Sequence, residues 1–195
     1  MELKNGVKTF YAESQEAWRT WLEINHNSEK SIFLIIYKQN SGTPSVYYNE
    51  AVDEAICFGW IDSKINKRDE NSFYQYFAKR NPKSNWSKVN KEKVERLTAL
   101  GKIAPAGQAM IDLAKQNGTW TALDAVENLE LPIELKTLFD NNPTAFANWE
   151  KFPRSSKRGI LEWIFNAKKP ETRLQRIEET VTLAASNIKA NHYRQ

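Results

Sequence analysis

The sequence predicts an α+β fold, with strands and helices in the first part of the chain and only helices in the second part. The segments whose β-branched and aromatic residues and alternating pattern predict strands all lie before about residue 80. Helical spacing of apolar residues is found in both parts and continues alone after Pro82. Because the two kinds of element are segregated along the chain, we expect a small antiparallel sheet with helices, followed by an all-helical region.

The N-terminal segments that carry a secondary-structure signal are an edge strand at residues 7–11, a helix after the cap residue Ser14, a buried strand at 31–38, a helix at 48–58 and a hairpin at 60–77. Isoleucine and aromatic residues dominate residues 31–38, which is typical of a buried strand. Gly59 directly follows the second helix and is a plausible terminator. Two or three antiparallel strands therefore form the expected sheet.

The C-terminal segments with helical spacing are residues 88–100, residues 105–116, two helices beginning near Pro132 and Pro143, residues 155–169 and residues 171–190. In the last of these, one apolar stripe is expected to face the core, formed by Leu174, Ile177, Val181 and Ile188. A turn signal at Gly118 suggests a boundary, which gives an α+β region at residues 1–118 and a helical region at residues 119–195.

The composition indicates a soluble, cytoplasmic protein without a cofactor. The single cysteine, Cys57, allows no internal disulfide, and no apolar stretch near the N-terminus resembles a secretory signal or a membrane span. One cysteine and two histidines do not supply a zinc site, and they leave neither a Cys–His pair nor a Ser–His–Asp triad well supported. The seven glycines never form a phosphate-binding loop. We therefore expect no catalytic residues, no metal and no cofactor.

The net charge of +4 is unevenly distributed along the chain. Basic residues are in excess between residues 62 and 102, acidic residues between 124 and 150, and basic residues again from 151 onward. Such a pattern can steer an anion toward the protein. Charge runs are also commonly solvated faces, so the pattern alone does not decide the function.

Two long motifs are the most distinctive stretches of the sequence. The first is Phe-Gly-Trp-Ile-Asp-Ser at residues 58–63, followed by Arg-Asn-Pro-Lys-Ser-Asn-Trp-Ser at residues 80–87 and Asn90. The second is Ala-Lys-Lys-Pro-Glu-Thr-Arg-Leu-Gln-Arg-Ile at residues 167–177. Both motifs resemble the bacteriocin-protection, YdeI/OmpD-associated family, and the resemblance extends from Trp18 to about Leu183. It implies a role in stress or in protection against antimicrobial peptides, with a link to an outer-membrane porin, but no agreed activity.

The first motif contains the best candidate for a ligand site. Trp60 and Trp86 would form a stacking platform, and Arg80, paired with Asp62 or free, would hold a phosphate or carboxylate. Ser84 or Ser87 stands where it would cap a helix whose free N–H groups attract anions. The whole set is Tyr48, Glu50, Trp60, Asp62, Arg80, Lys83, Ser84, Trp86 and Asn90. The same residues have a structural interpretation as core aromatics, a salt bridge and a helix cap.

The preferred hypothesis is a non-enzymatic binding protein whose partner is a small anionic ligand or another protein. A second hypothesis is nucleic-acid binding through the basic residues Lys168, Lys169, Arg173 and Arg176, which could equally be a solvated helix face. A third is an enzyme that uses Glu50 and Asp62. No membrane insertion is expected under any of them.

Overall fold

The N-terminal strands form one five-stranded sheet. The computed structural model describes residues 2–191 of the chain. Its strands are β1 (Leu3–Lys4), β2 (Val7–Tyr11), β3 (Ser31–Tyr37), β4 (Trp60–Lys67) and β5 (Ser72–Lys79), and their order across the sheet is β1-β2-β3-β5-β4. The predicted strands and the hairpin β4–β5 are therefore present, and the α+β class is confirmed.

The sheet is mixed, whereas we expected an antiparallel one. β2 and β3 run parallel, with Phe10 opposite Leu34, and the other neighbours are antiparallel. A connection between parallel strands must return across the sheet, and the 19 residues between Tyr11 and Ser31 provide it with a helix. Residues 7–11 are also not the edge, because β1 pairs beyond them. The alternation of apolar and polar residues in a strand indicates which side chains share a face, but not the direction in which the strand runs. The parallel pairing could therefore not be predicted from the sequence.

The helices of the N-terminal part are α1 (Gln15–Asn25), α2 (Tyr48–Cys57), α3 (Lys88–Ala99) and α4 (Pro105–Gln116). Ser14 caps α1 as predicted, since its hydroxyl accepts a hydrogen bond from the Ala17 amide at 3.2 Å. The core against the sheet includes Trp18, Leu34 and Phe77, none of which is measurably exposed. These elements fix the two segments, residues 58–63 and 80–90, that contain the first motif.

A glycine sets the spacing between α2 and α4. A β-carbon built on Gly107 would lie 2.2 Å from the carbonyl oxygen of Cys57. Ala104, which precedes α4, donates its amide to that same oxygen at 3.0 Å. Only a residue without a side chain allows the two helices to approach this closely.

The chain divides into two compact units, one ending at Thr121 and the other beginning at Ala122. The helices of the C-terminal unit are α5 (Asp124–Glu127), α6 (Ile133–Asp140), α7 (Pro143–Lys151), α8 (Arg154–Phe165) and α9 (Pro170–Ala185). Its core contains Leu135, Phe139, Ile164 and Ile177. None of the helices described over residues 2–191 has the length and apolar character needed to cross a membrane.

The last helix differs from its prediction in two ways. It ends at Ala185, and Asn187 adopts a positive φ of 56° two residues later, so residues 186–190 do not continue it. Ile177 and Val181 are buried as expected, but Leu174 and Ile188 are about half exposed, at 47% and 52%. The apolar stripe predicted from the sequence is thus only partly covered by the unit's own helices.

Candidate functional site

Arg80 is a buried cation at the end of the β4–β5 hairpin. It follows β5 directly, and its backbone amide donates to the carbonyl oxygen of Gly59, which precedes β4, at 2.9 Å. Gly59 has a φ of 73°, a left-handed conformation that turns the chain from α2 into β4. Although arginine is among the residues that are almost never fully buried without a charged partner, Arg80 is only 4% exposed.

The Arg80 guanidinium group is incompletely satisfied. Its Nη2 donates to the carbonyl oxygen of Asn85 at 2.6 Å, and its central carbon lies 3.7 Å from the centroid of the Trp86 ring. Its Nε and Nη1 atoms are buried and have no hydrogen-bond partner within residues 2–191. These two atoms bear three of the five N–H groups of an arginine. A buried N–H group without an acceptor is rare in folded proteins, and it costs about 1–3 kcal/mol or more when the group is charged.

Burial lowers the pKa of Arg80 to about 10, and the negative charge of Asp62 opposes this shift. Low-dielectric surroundings disfavour the charged form of a base, which explains the direction. A pKa of about 10 still leaves the guanidinium group almost fully protonated at neutral pH. The site therefore presents a complete positive charge in an environment that stabilises it poorly.

Asp62 and Tyr48 form a pair of their own, which corrects the predicted Arg80–Asp62 contact. The Tyr48 hydroxyl donates to Oδ2 of Asp62 at 2.7 Å, and the described residues show no hydrogen bond or ion pair between Asp62 and Arg80. Partial burial and then the Asp62 carboxylate raise the pKa of Tyr48 to about 12. Asp62 influences Arg80 through its charge alone.

The two tryptophans of the motif are core residues, so the predicted stacking platform is not available to a ligand. Trp60 is 1% exposed, donates its ring N–H to the carbonyl of His26 and meets the edge of Trp21. Trp86 is 2% exposed and contacts the ring of Trp120, with Arg80 on its face. Trp60 and Trp86 are therefore core aromatic residues, which was the structural interpretation of the motif.

The loop between β5 and α3 packs beside Arg80 and is held at two points. The Pro82 carbonyl accepts a hydrogen bond from the Asn117 side chain at 2.9 Å, and the Trp86 amide donates to the Thr119 carbonyl at 3.2 Å. Neither contact could be predicted, because residues 117–119 show only a turn signal in the sequence. The loop carries the carbonyl of Asn85, which is the acceptor for Arg80.

The remaining members of the predicted anion site have local roles. Ser84 donates its hydroxyl to the Asn81 carbonyl at 2.7 Å and is not the helix cap. Ser87 is the cap of α3, and its hydroxyl accepts from the Asn90 amide at 3.3 Å. The side chain of Lys83 is exposed. The structure thus brings Arg80 and Trp86 together, but it places neither Lys83 nor Ser84 in contact with the guanidinium group.

The groups considered for catalysis are likewise engaged or buried. Glu50 accepts a hydrogen bond from the Tyr47 amide at 2.9 Å, which satisfies a donor at the start of α2. Cys57 is fully buried, and burial followed by the charge of Glu54 raises the pKa of its thiol to about 11. In the described part of the chain, no group of three or more His, Cys, Asp or Glu side chains could hold a metal ion.

The basic residues considered for nucleic-acid binding divide into two classes. Arg173 forms an ion pair with Glu134, and Arg176 donates to the Trp163 carbonyl and lies 4.8 Å from the centroid of the Trp163 ring. Lys168 and Lys169 are exposed at the junction of α8 and α9. Two of the four basic side chains expected to contact phosphate, Arg173 and Arg176, are therefore engaged within the C-terminal unit.

Two different protein families match two separate parts of the chain. Residues 10–110, slightly more than half of the chain, match the family described as a domain of unknown function (DUF8412), and this match includes the Arg80 site. Residues 128–187 match the family described as bacteriocin-protection, YdeI or OmpD-associated, which confirms the resemblance over the second motif but not over the first. Neither the curated proteins nor the solved structures include a match. The chain belongs to the DUF8412 family through residues 10–110, and its residues 128–187 are similar to the YdeI/OmpD-associated family.

Proposed function

We propose that the chain is a non-enzymatic binding protein that takes a small anion, or the anionic group of a larger ligand, at Arg80. The observation that carries this proposal is the guanidinium group itself, which is 4% exposed and has two nitrogen atoms without a hydrogen-bond partner in the described residues. Buried ionic groups are normally paired, because an isolated charge loses its hydration without compensation. An anion would supply both the missing acceptors and the missing opposite charge.

Charge distinguishes an anion from a water molecule as the ligand. Water would accept hydrogen bonds from Nε or Nη1, but it would leave the positive charge of Arg80 uncompensated. Asp62 is the acidic group whose charge acts on Arg80, and the Tyr48 hydroxyl already occupies one of its oxygens. A phosphate or carboxylate oxygen would form charge-assisted hydrogen bonds, which are about twice as strong as neutral ones.

The ligand class follows from what surrounds Arg80. Trp60 and Trp86 are buried, so neither offers a free face for an aromatic ring. This favours a phosphate or carboxylate group over a nucleobase as the part that is recognised. Because Arg80 is buried, an anion reaches it only when the neighbouring loop moves. The hydrogen bond that Asn117 donates to this loop and the one that Thr119 accepts from it resist that movement. Saturable but slow binding is the expected behaviour.

The biological setting that we propose is the cytoplasm, in a response to stress or to antimicrobial peptides. The support is the description of the family that residues 128–187 match, which names bacteriocin protection. Survival of a strain that lacks the gene, with and without a copy encoding Arg80→Lys, would test this setting. Equal survival of all strains during bacteriocin treatment would remove the proposed role and leave the binding proposal untouched.

The binding proposal is tested by isothermal titration of the purified chain with inorganic phosphate and with acetate. Arg80→Lys keeps the charge but not the planar set of donors, and we expect it to weaken binding at least tenfold. Lys83→Gln is the matched control, because it removes an exposed charge from the same loop. Loss of binding in both variants, or in neither, would contradict recognition at Arg80. Thermal unfolding of each variant shows whether its fold is intact.

A further inference from the structure

The C-terminal unit has an apolar groove that its own helices leave open. The groove lies between α6 and α9 and has a volume of about 350 Å³. Its apolar walls are formed by Ile133 and Leu138 of α6 and by Leu174 and Ile177 of α9. The two helices pack against each other below it, since Ile177 is completely buried. The groove is independent of Arg80, which belongs to the other unit.

Two large side chains at the mouth of the groove are exposed to solvent. Ile133 is 72% exposed and Leu174 is 47% exposed, although both lie beside a well-packed core. A single exposed leucine or isoleucine is common on protein surfaces. Here two of them line opposite walls of one concave surface, which is the arrangement found in binding grooves.

The charges around the groove are acidic. Its charged lining residues are Glu134 and Glu178, and no lysine or arginine lines it within residues 2–191. Arg173 neutralises Glu134, whereas Glu178 forms no ion pair in the described part of the chain. Glu171 is exposed three residues before Leu174, so it extends the same face of α9. A ligand on Leu174 therefore has carboxylates on both sides along the helix.

We propose that this groove binds an amphipathic helix whose polar face is rich in lysine or arginine. An apolar trough between two helices accepts the apolar face of a third helix, with anchors spaced three or four residues apart. The eight residues of α6 span about 12 Å, which corresponds to about two turns of a bound helix. Basic side chains beside those anchors would meet Glu178 and Glu171, whereas acidic ones would be repelled.

The probe is a synthetic helix of about 14 residues, or about 21 Å, made of leucine and lysine with all leucines on one face. The matched probe replaces every lysine with glutamate and keeps the apolar face. Binding of each labelled peptide to the full chain is measured by fluorescence anisotropy at low and moderate salt. We expect the lysine peptide to bind, the glutamate peptide to bind at least tenfold more weakly, and added salt to weaken binding.

Two variants of exposed residues locate the binding surface without disturbing the core. We expect Leu174→Ser to weaken binding of the lysine peptide about tenfold, and Glu178→Lys to weaken it severalfold and reduce its salt dependence. Ile24→Ser is the control, because Ile24 is 73% exposed on α1 in the other unit. The proposal is overturned if the lysine peptide does not bind, if both peptides bind equally, or if the control and groove variants behave alike. It is equally overturned if Leu174→Ser abolishes self-association and no peptide binds, because a second copy would then cover the groove.

Discussion

The guanidinium carbon of Arg80 lies 3.7 Å from the centroid of the Trp86 ring, and both side chains are buried. This stacking orients the guanidinium plane, since a cation is attracted to the face of an indole ring. The contact stabilises the positive charge only partly, because it provides no hydrogen-bond acceptor for Nε or Nη1. Trp86 thus holds the guanidinium group in place and leaves its Nε and Nη1 atoms without an acceptor among the described residues.

The charge of Asp62 should oppose the proposed binding of an anion at Arg80. Removing that charge in Asp62→Asn eliminates repulsion of the incoming anion, so we expect phosphate to bind about three- to tenfold more tightly. The same change lowers the pKa of Arg80 below about 10 and reduces the pKa of Tyr48 from about 12 toward the ordinary value of tyrosine. Calorimetry measures the first effect, and absorbance titration of the tyrosines measures the last.

Tyr48→Phe separates charge from hydrogen bonding at this position. It removes the hydroxyl that donates to Asp62 and keeps the carboxylate. We therefore expect no gain in phosphate affinity from it. An equal gain in both variants would show that the pair acts as a steric barrier and not through the charge of Asp62.

The close approach of α2 and α4 predicts a marked effect of one methyl group. In Gly107→Ala, the new β-carbon would lie 2.2 Å from a backbone oxygen and force the helices apart. We expect the free energy of unfolding to fall by about 2–3 kcal/mol, as measured by urea denaturation. Gly159→Ala, on α8, is the control, since a β-carbon at this position meets no atom within 4 Å. It should raise stability by up to about 1 kcal/mol.

We expect the buried thiol of Cys57 to lower the free energy of unfolding at alkaline pH. Burial raises the pKa of its thiol from 9.0 to about 11, so the unfolded chain releases this proton at a lower pH than the folded chain. The stabilising contribution is fully present below pH 9 and is lost as the pH rises through about 11, with a total on the order of 2–3 kcal/mol.

Cys57→Ala removes this titration. Its free energy of unfolding should therefore fall less steeply between pH 9 and 11 than that of the unchanged protein. Parallel curves for the two proteins would contradict the assignment. Rapid reaction of the folded protein with a thiol reagent at pH 8 would also contradict it, because the buried thiol is almost entirely protonated there.

The local elements could be predicted from the sequence because their signals are local. Ser14 and Gly59 mark helix ends by capping and by a positive φ, and the structure uses both of them in that way. The parallel pairing of β2 with β3 could not be predicted, because it depends on the route of the intervening helix. Leu174 was misassigned for a related reason, since helical spacing identifies a face but not whether another helix covers it.

The site was predicted in composition but not in arrangement. The structure brings Arg80 into contact with Trp86 and within range of the charge of Asp62, but Asp62 pairs with Tyr48 and not with Arg80. The burial of both tryptophans, and the anchoring of the loop through Asn117 and Thr119, arise from long-range packing. Residue types alone therefore indicated that Arg80 has aromatic neighbours, but not that two of its nitrogen atoms have no hydrogen-bond partner among the described residues.

The Nε–H proton of Arg80 is the most direct reporter of whether its buried guanidinium group binds an anion. In a ¹⁵N–¹H correlation spectrum, this resonance is assigned by its loss in Arg80→Lys and is followed as sodium phosphate replaces sodium chloride at constant ionic strength. We predict a saturable downfield shift of that one side-chain signal, with slow exchange that matches a buried site. A signal that does not respond to phosphate, or that exchanges rapidly with solvent water, would show that Arg80 is satisfied by water and is a structural residue.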